Sequence, residues 1–399
     1  MDLGMGLGHL SYSTLVHPGD TWDEMKASLV KYVPAVKARV APNRPFAVSL
    51  RLSAAAARTL AADPAARSDL KRFLADNDLY LYTVNAFPYG PFKNTVVKEQ
   101  VYEPDWRSEE RVRYTMDVAD VLADVAPAGV APSIQTAPLA FKPRVSGPEY
   151  VADFTRNVLR VVAHLVELEA RVGRRVTLAL EPEPYCFLET TDEVVQYFGA
   201  HLYSGAAATK LAELGGLAVS EAHWALRRHL GVVFDICHQA VEFEDMGASL
   251  GKLVAAGIPI FKLQEAAAIR IPEVTQSIVD GLARYADTIY LTQTTERKGG
   301  TITRFLNLED AFVAWKRDPG PREWRVHFHV PVFLDDLGLV RTTRFAIEEA
   351  LRVHKATPLS THLEIETYTW DVLPDDLKTG DVVEYVSREI EWVRDQLTR

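Results

Sequence analysis

The chain has 399 residues, of which 48% are hydrophobic and 25% charged, an ordinary globular composition with enough material for a large buried core. The 44 Lys and Arg residues against 54 Asp and Glu residues give a formal net charge of -10, which disfavours a nucleic-acid partner. The chain has only two cysteines, and its N-terminus has no basic segment and no long apolar stretch. These features predict a reduced, cytoplasmic protein with no membrane span.

Short apolar runs rich in β-branched residues alternate with longer amphipathic runs along the whole chain. This alternation predicts repeated βα units around a parallel sheet. The predicted strands are 5–13, 46–52, 79–85, 129–135, 176–181, 231–235, 258–264, 324–330 and 362–367.

Helix signals lie between these strands. Thr21 with Glu24, and Thr190 with Glu193, have the spacing of a capping box, in which two side chains satisfy free backbone donors at a helix N-terminus. The run 20–40 has the apolar periodicity of a helix that covers a sheet. Its predicted buried face consists of Trp22, Met25, Leu29, Val33 and Val36.

Nine predicted strands exceed the eight that a (β/α)8 TIM barrel requires. The runs 290–295 and 301–306 flank a turn-like segment, which predicts a hairpin within an inserted hairpin and helix region near 289–333. We expect one α/β domain, 1–399, with an insertion at about 271–335. Either 258–264 or 324–330 is then the seventh barrel strand.

Acidic residues close three predicted strands on the face that points towards the barrel axis. Glu181, Asp235 and Glu366 stand at these ends, and the carboxyl ends of barrel strands meet at one mouth. Any one of them alone could be a salt bridge or a hydrogen bond at the barrel mouth. Burying all three together costs free energy unless protons or a cation compensate them. The set predicts one divalent metal ion: Mn²⁺, Mg²⁺, Co²⁺ or Zn²⁺.

The same segments resemble the sugar isomerase/epimerase group of xylose isomerase-like TIM barrels. LALEPEPYCFLETTDE looks like the family's fifth-strand pattern, which implies Glu181 as a metal ligand and Glu189 as a second, substrate-facing carboxylate. FDICHQAVEFED resembles the sixth-strand motif and implies Asp235 and His238, while IETYTW implies Glu366.

Two departures from this family bear on the metal ligands. Gln264 and Arg270 stand where the family carries a histidine and, six residues later, an arginine. Because Gln264 replaces the imidazole, the further ligand stays open between Gln264, His327 and His329. The second departure is a long stretch between Arg270 and Glu366, where the family needs little more than one helix.

Four segments of the chain carry a second resemblance: VNAFPYGPF, VYEPDW, HFHVPVF and LEIETYTW. In this order, over nearly the full length of the chain, they are similar to segments of the EboE-type metabolite traffic family. That resemblance implies a TIM barrel encoded beside a prenyltransferase and a sugar-phosphate-cyclase-like protein. It suggests a small-molecule partner, a sugar or cyclitol in free or prenylated form.

The leading hypothesis for function is a metal-dependent isomerase or epimerase acting on a polyhydroxylated ketone. The resembled mechanism implies proton transfer by Glu181 and Glu366, with His238 stabilising an enediolate. The predicted substrate-binding residues are Glu189, Arg270, His327, Lys262, Asn85 and Phe87.

Two other functions remain open. The spacing of His327 and His329 on one strand suggests a metal-dependent hydrolase, although amidohydrolase barrels carry such a pair on their first strand. A non-catalytic protein that binds or passes on a metabolite is the third hypothesis. Cys237, between Asp235 and His238, is interpreted as a small core residue.

Overall fold

The computed structural model of the protein describes residues 1–93, 95–285, 289–378 and 380–398. Each predicted strand overlaps an observed one. In chain order the strands of these ranges are β1 (His9–Tyr12), β2 (Phe46–Arg51), β3 (Leu79–Asn85), β4 (Ser133–Thr136), β5 (Thr177–Leu180), β6 (Leu230–Asp235), β7 (Ile260–Glu265), β8 (Ala267–Ile271), β9 (Thr294–Lys298), β10 (Thr301–Phe305), β11 (Glu323–Val330), β12 (Arg341–Thr342) and β13 (His362–Ile365).

The helices surround this framework. In chain order they are α1 (Trp22–Val40), α2 (Ala54–Ala62), α3 (Pro64–Asp76), α4 (Glu109–Val125), α5 (Pro148–Val172), α6 (Thr191–Tyr197), α7 (Gly205–Gly215), α8 (Val219–His229), α9 (Ile236–Val241), α10 (Met246–Ala255), α11 (Gln276–Leu282), α12 (Leu308–Arg317), α13 (Arg344–Ala356) and α14 (Val382–Thr398). Among the helices of the described ranges, none combines the length and apolar character that a membrane crossing requires.

Eight strands form one parallel sheet in the order β1-β13-β7-β6-β5-β4-β3-β2. A parallel bridge between Ser13 and Ser49 joins the ends of this order, so the sheet nearly closes into a barrel. The run 258–264 corresponds to β7, which lies between β6 and β13 with Gln264 opposite Asp235. The predicted (β/α)8 barrel is confirmed, and its seventh strand is β7.

Both predicted capping boxes are present. Glu24 N donates to Thr21 Oγ1 at 3.4 Å, and the Glu24 carboxylate accepts from Thr21 N at 3.0 Å. At the start of α6, Glu193 and Thr190 make the same pair of hydrogen bonds. These bonds satisfy backbone donors that a helix leaves free at its N-terminus. The predicted apolar face of α1 is buried.

A second sheet is inserted after β7. Its strands pair antiparallel in the order β10-β9-β11-β8-β12, and the run 324–330 belongs to its β11. The hairpin of β9 and β10 turns through Gly299 and Gly300, whose φ angles of +54° and +90° suit a two-residue turn that glycine favours. The strands of this sheet and the helices between them lie within 267–342. The division into one domain with an insertion at about 271–335 stays a prediction.

The inserted sheet contacts the loops at the C-terminal mouth of the barrel. Arg304, on β10, donates to the carboxylate of Glu242 at 2.7 Å. Arg325, on β11, donates to the backbone carbonyl of Ala240 at the end of α9 at 2.7 Å. The insertion therefore lies beside the residues that close the barrel strands.

Candidate metal centre

Three carboxylates meet around one side-chain amide. Glu181 and Glu366 directly follow β5 and β13, and Asp235 is the last residue of β6. Gln264, on β7 between them, has its Nε2 at 3.0 Å from Glu181 Oε1, 2.6 Å from Asp235 Oδ2 and 2.7 Å from Glu366 Oε2. Because a neutral amide has only two hydrogens, it cannot satisfy three carboxylates fully at once. The three carboxylates thus surround a point that suits a cation.

Two further amides hold the outer oxygens of this cluster. Asn85 Nδ2 donates to Glu366 Oε1 at 2.7 Å, and Gln135 Nε2 donates to Glu181 Oε2 at 2.7 Å. Gln135 is oriented in turn by Lys262, whose Nζ donates to its Oε1 at 2.6 Å. These contacts fix the carboxylates in one arrangement.

Lys262 belongs to a deeper layer of the barrel. Its ammonium group is fully buried and lies 3.0 Å from Glu364 Oε2. Ser49 also hydrogen-bonds that carboxylate. Glu364 and Glu366 stand on the same face of the chain, so β13 contributes one carboxylate to the buried ion pair and the next to the mouth.

Burial raises the pKa of all three carboxyls in the cluster. For Glu181 desolvation is the largest cause, followed by the nearby charges of Glu366 and Asp235. The pKa of Glu366 is also raised well above its usual value, by burial and then by Glu364 and Asp235. Desolvation raises the pKa of Asp235 to about 7, against the opposing hydrogen bond from the backbone N–H of His238. Only a compensating cation would let all three ionise at neutral pH.

The donor set fits a divalent cation. His238 Nδ1 lies 2.8 Å from the backbone carbonyl oxygen of Pro182, which accepts its hydrogen. His238 Nε2 therefore carries the lone pair of the ring, and it lies 3.5 Å from Asp235 Oδ2. Burial lowers the pKa of His238 to about 4, so the ring is neutral. Gln264 Oε1 is buried with no hydrogen-bond partner among the described residues. One ligand atom each from Glu181, Asp235 and His238 lies within 4.8 Å of the others.

A cavity opens onto the cluster. Its lining includes the polar side chains of Glu181, Glu366 and His238. Most of the remaining lining is apolar or aromatic and includes Leu15, Phe87, Phe92, Val97, Val101, Tyr290, Leu291 and Tyr368. A ligand with both polar and apolar groups would match this lining.

Most predicted site residues lie at this mouth. Asn85, Phe87, Glu181, His238, His327 and Glu366 line the cavity, and Asp235 and Gln264 lie in the cluster beside it. His329 is buried with its ring 4.5 Å from that of Tyr368.

Three predicted substrate-binding residues have other surroundings. Lys262 lies in the deeper layer. Glu189 pairs with Lys142 at 2.5 Å, and Arg270, on β8, pairs with Glu323 at 2.8 Å. Their contact with a substrate stays a prediction.

Four residues at the mouth were not predicted. Gln135 could have been found, because it closes the predicted strand 129–135 at the same level as Asn85. Glu183, Tyr102 and Gln293 form a hydrogen-bonded group at the side of the cavity, with Tyr102 Oη 2.8 Å from Glu183 Oε1. They lie on loops or a short 3-10 turn, where no periodic pattern signals them. Burial raises the pKa of Glu183 to about 8.

No protein-family model matches the chain, and no curated protein matches it in sequence. Several solved structures resemble it. A xylose isomerase-like TIM barrel protein from Mycobacterium smegmatis, in complex with magnesium, has a TM-score of 0.50 and 10% identity, over 100% of this chain and 98% of that chain. D-Psicose 3-epimerase with D-tagatose from Clostridium cellulolyticum H10 has a TM-score of 0.47 and 13% identity, over 98% of each chain.

The likeness to the Mycobacterium smegmatis protein concerns the fold. It shows that this chain adopts the fold of xylose isomerase-like TIM barrels, so the predicted fold class is confirmed. The closer resemblance to the EboE-type family stays a prediction.

Proposed function

We propose that the protein is a metal-dependent isomerase or epimerase of a sugar- or cyclitol-type polyhydroxylated ketone. The observation that carries this proposal is the convergence of Glu181, Asp235 and Glu366 on one point beside the cavity. Several carboxylates in one buried site suit proton transfer next to a carbonyl, provided that their charge is compensated.

The residues that would hold the ion are Glu181, Asp235 and Glu366, with His238 Nε2 or Gln264 Oε1 as a further donor. Rotation of the Gln264 amide about its last side-chain bond would exchange Nε2 for Oε1. The oxygen would then face the carboxylates, which is favourable only beside a cation. When bound, a divalent ion polarises adjacent carbonyl and hydroxyl oxygens and neutralises the carboxylates.

Glu181 and Glu366 are the proposed proton-transfer groups. They reach the cavity from β5 and β13, and the two strands between these carry Asp235 and Gln264. A substrate carbon held between them could lose its proton to one carboxylate and receive a proton from the other. His238, which lines the same cavity, would stabilise the resulting enediolate.

The cavity supports a substrate with two unlike parts. A polyhydroxylated ketone would face the carboxylates, and an apolar substituent would contact Phe87, Leu291 and Tyr368. The EboE-type resemblance belongs with this proposal, since it suggests a sugar or cyclitol in free or prenylated form. Glu189, on the loop before α6, and Arg270, on β8, are proposed as further substrate-binding residues.

Solvent isotope exchange tests the proposal. The chelator-treated protein would be loaded with Mn²⁺ and incubated in D₂O with ketopentoses, ketohexoses and cyclitol ketones. We expect deuterium at the carbon next to the carbonyl of at least one compound. Glu181→Gln and Glu366→Gln should abolish the exchange, whereas Glu244→Gln should not, because Glu244 hydrogen-bonds Thr191 away from the cavity. Exchange that survives both active-site substitutions would refute the assignment.

A further inference from the structure

We propose a second, chemically softer metal site beside the carboxylate cluster, formed by Cys237, His327 and His329. Cys237 lies in the first turn of α9, directly after the barrel strand β6. The two histidines come from β11 of the inserted sheet. The site would take Zn²⁺ or another cation that prefers sulfur and nitrogen ligands, and it does not depend on the isomerase proposal.

The donor atoms are close together and shielded from solvent. One atom from each of Cys237, His327 and His329 lies within 4.8 Å of the others. Their exposed fractions are 0%, 4% and 0%. Tetrahedral zinc, with bonds of about 2.0–2.3 Å, needs donor separations of about 3.5 Å. Side-chain rotations that move the donor atoms by about 1 Å would bring them to these separations.

The imidazole nitrogens of this group have few partners. His327 Nε2 is buried with no hydrogen bond to any described residue, and neither ring nitrogen of His329 makes one of ordinary geometry, although the backbone of Glu366 lies beside that ring. A buried polar atom without a partner costs about 1–3 kcal/mol, so such groups are rare in folded proteins. The two rings are 5.2 Å apart, and a cation bound by one nitrogen of each would satisfy two of these atoms.

The fourth nitrogen is used to orient a ring. His327 Nδ1 lies 3.0 Å from Gln293 Oε1, which accepts its hydrogen. Gln293 presents that oxygen because its Nε2 donates to Tyr102 Oη at 2.9 Å and to Glu183 Oε1 at 3.1 Å. This chain of hydrogen bonds holds His327 in the form whose Nε2 carries a lone pair. Metal-binding histidines are commonly oriented in this way by a partner at the other nitrogen.

An irregularity in β11 brings the histidines to this place. Val326 pairs with Ile269 and Val330 pairs with Ala267, so the three residues 327–329 stand opposite Ala268 alone. Such bulges redirect side chains, and they are frequent next to active sites. The backbone carbonyl of His329 also accepts a hydrogen bond from Thr369 Oγ1 at 2.7 Å, which fixes the strand beside the mouth.

The donor types separate this site from the carboxylate cluster. A thiolate and two imidazoles favour Zn²⁺, whereas carboxylate and amide oxygens favour Mg²⁺ or Mn²⁺. Binding would release the proton of the Cys237 thiol. Since His327 lines the cavity, the fourth coordination position would face it, as in zinc sites that keep one position open.

Cobalt substitution tests the site without any assay of activity. The full-length protein would be stripped with a chelator and titrated with Co²⁺, and metal content would be measured after loading with Zn²⁺ and Mn²⁺ together. We expect a near-ultraviolet sulfur-to-cobalt charge-transfer absorption. Cys237→Ser should lose this absorption and one equivalent of zinc. Cys186→Ser, which changes the other buried cysteine, should keep both.

Further variants decide the outcome if Cys237→Ser fails to fold. His329→Asn should lose the zinc equivalent and weaken the absorption, and Glu181→Gln should lose manganese while keeping the absorption. Absence of the absorption in the wild-type protein, or its persistence in a folded Cys237→Ser variant, would overturn the proposal. A protein that shows the absorption but exchanges no deuterium would keep this site and exclude the proposed isomerase.

Discussion

The amide of Gln264 stabilises the metal-free site, and Gln264→Leu should remove that stabilisation. One NH₂ group has two hydrogens, so at most two of its three carboxylate contacts are complete hydrogen bonds at one time. A buried acceptor left without its donor costs about 1–3 kcal/mol. We therefore expect the substitution to lower the unfolding free energy of the metal-free protein by about 2–6 kcal/mol.

Denaturant unfolding in the presence of a chelator measures this loss. Gln239→Leu is the matched control, because Gln239 is equally buried and accepts one hydrogen bond, from Thr191 Oγ1 at 3.2 Å. Its loss should be about 1–2 kcal/mol. Saturating Mn²⁺ should reduce the deficit of Gln264→Leu, since the ion would compensate the same carboxylates. If Gln264→Leu is no less stable than Gln239→Leu without metal, the reasoning is wrong.

Two other predictions concern metal affinity and pH. Asn85→Leu removes the donor to Glu366 Oε1 and should weaken Mn²⁺ binding about 10- to 100-fold in calorimetric titration. The control is Asn157→Leu, which replaces a buried asparagine away from the mouth and should leave Mn²⁺ binding unchanged. Burial raises the pKa of Glu389 from 4.5 to about 8, because the folded state favours the protonated carboxyl. The contribution of this group to stability is therefore full below about pH 4.5 and is lost as the pH rises through about 8. Glu389→Gln should flatten the fall in unfolding free energy over this range, and an unchanged pH profile of stability would contradict the assignment.

The barrel and two of its carboxylates were predictable because they follow from strand periodicity. Alternation along a strand fixes which residues face the axis, and parallel strands bring their carboxyl ends to one mouth. Glu181 and Asp235 could therefore be grouped without knowledge of any loop, whereas the choice of Glu366 over Glu364, which shares its face, depended on the family resemblance. Gln135 satisfies the same rule. A neutral amide at a strand end can be buried without a compensating charge, however, so its position alone does not indicate a functional site.

The remaining site residues depend on how the chain leaves the barrel. Only Ala266 separates β7 from β8, so the chain enters the second sheet three residues after Gln264. The family resemblance implied that Arg270 faces the substrate, and in the fold its guanidinium group pairs with Glu323 on β11. Glu183, Tyr102 and Gln293 come together only through loop conformations, which periodicity does not determine.

The glutamine at position 264 explains why the inserted sheet supplies imidazoles to the mouth. With Gln264 at the position where the resembled barrels carry a histidine, β7 supplies no imidazole to the cluster. Imidazoles reach the mouth from β11 instead, where one ligand atom each from Cys237, His327 and His329 lies within 4.8 Å of the others. His238 stands between the groups, with its ring 4.6 Å from that of His327 and its Nε2 3.5 Å from Asp235 Oδ2. Glu183 also connects them, because one ligand atom each from Glu183, His238 and His327 lies within 4.8 Å of the others, so carboxylates and imidazoles form one continuous network across the mouth.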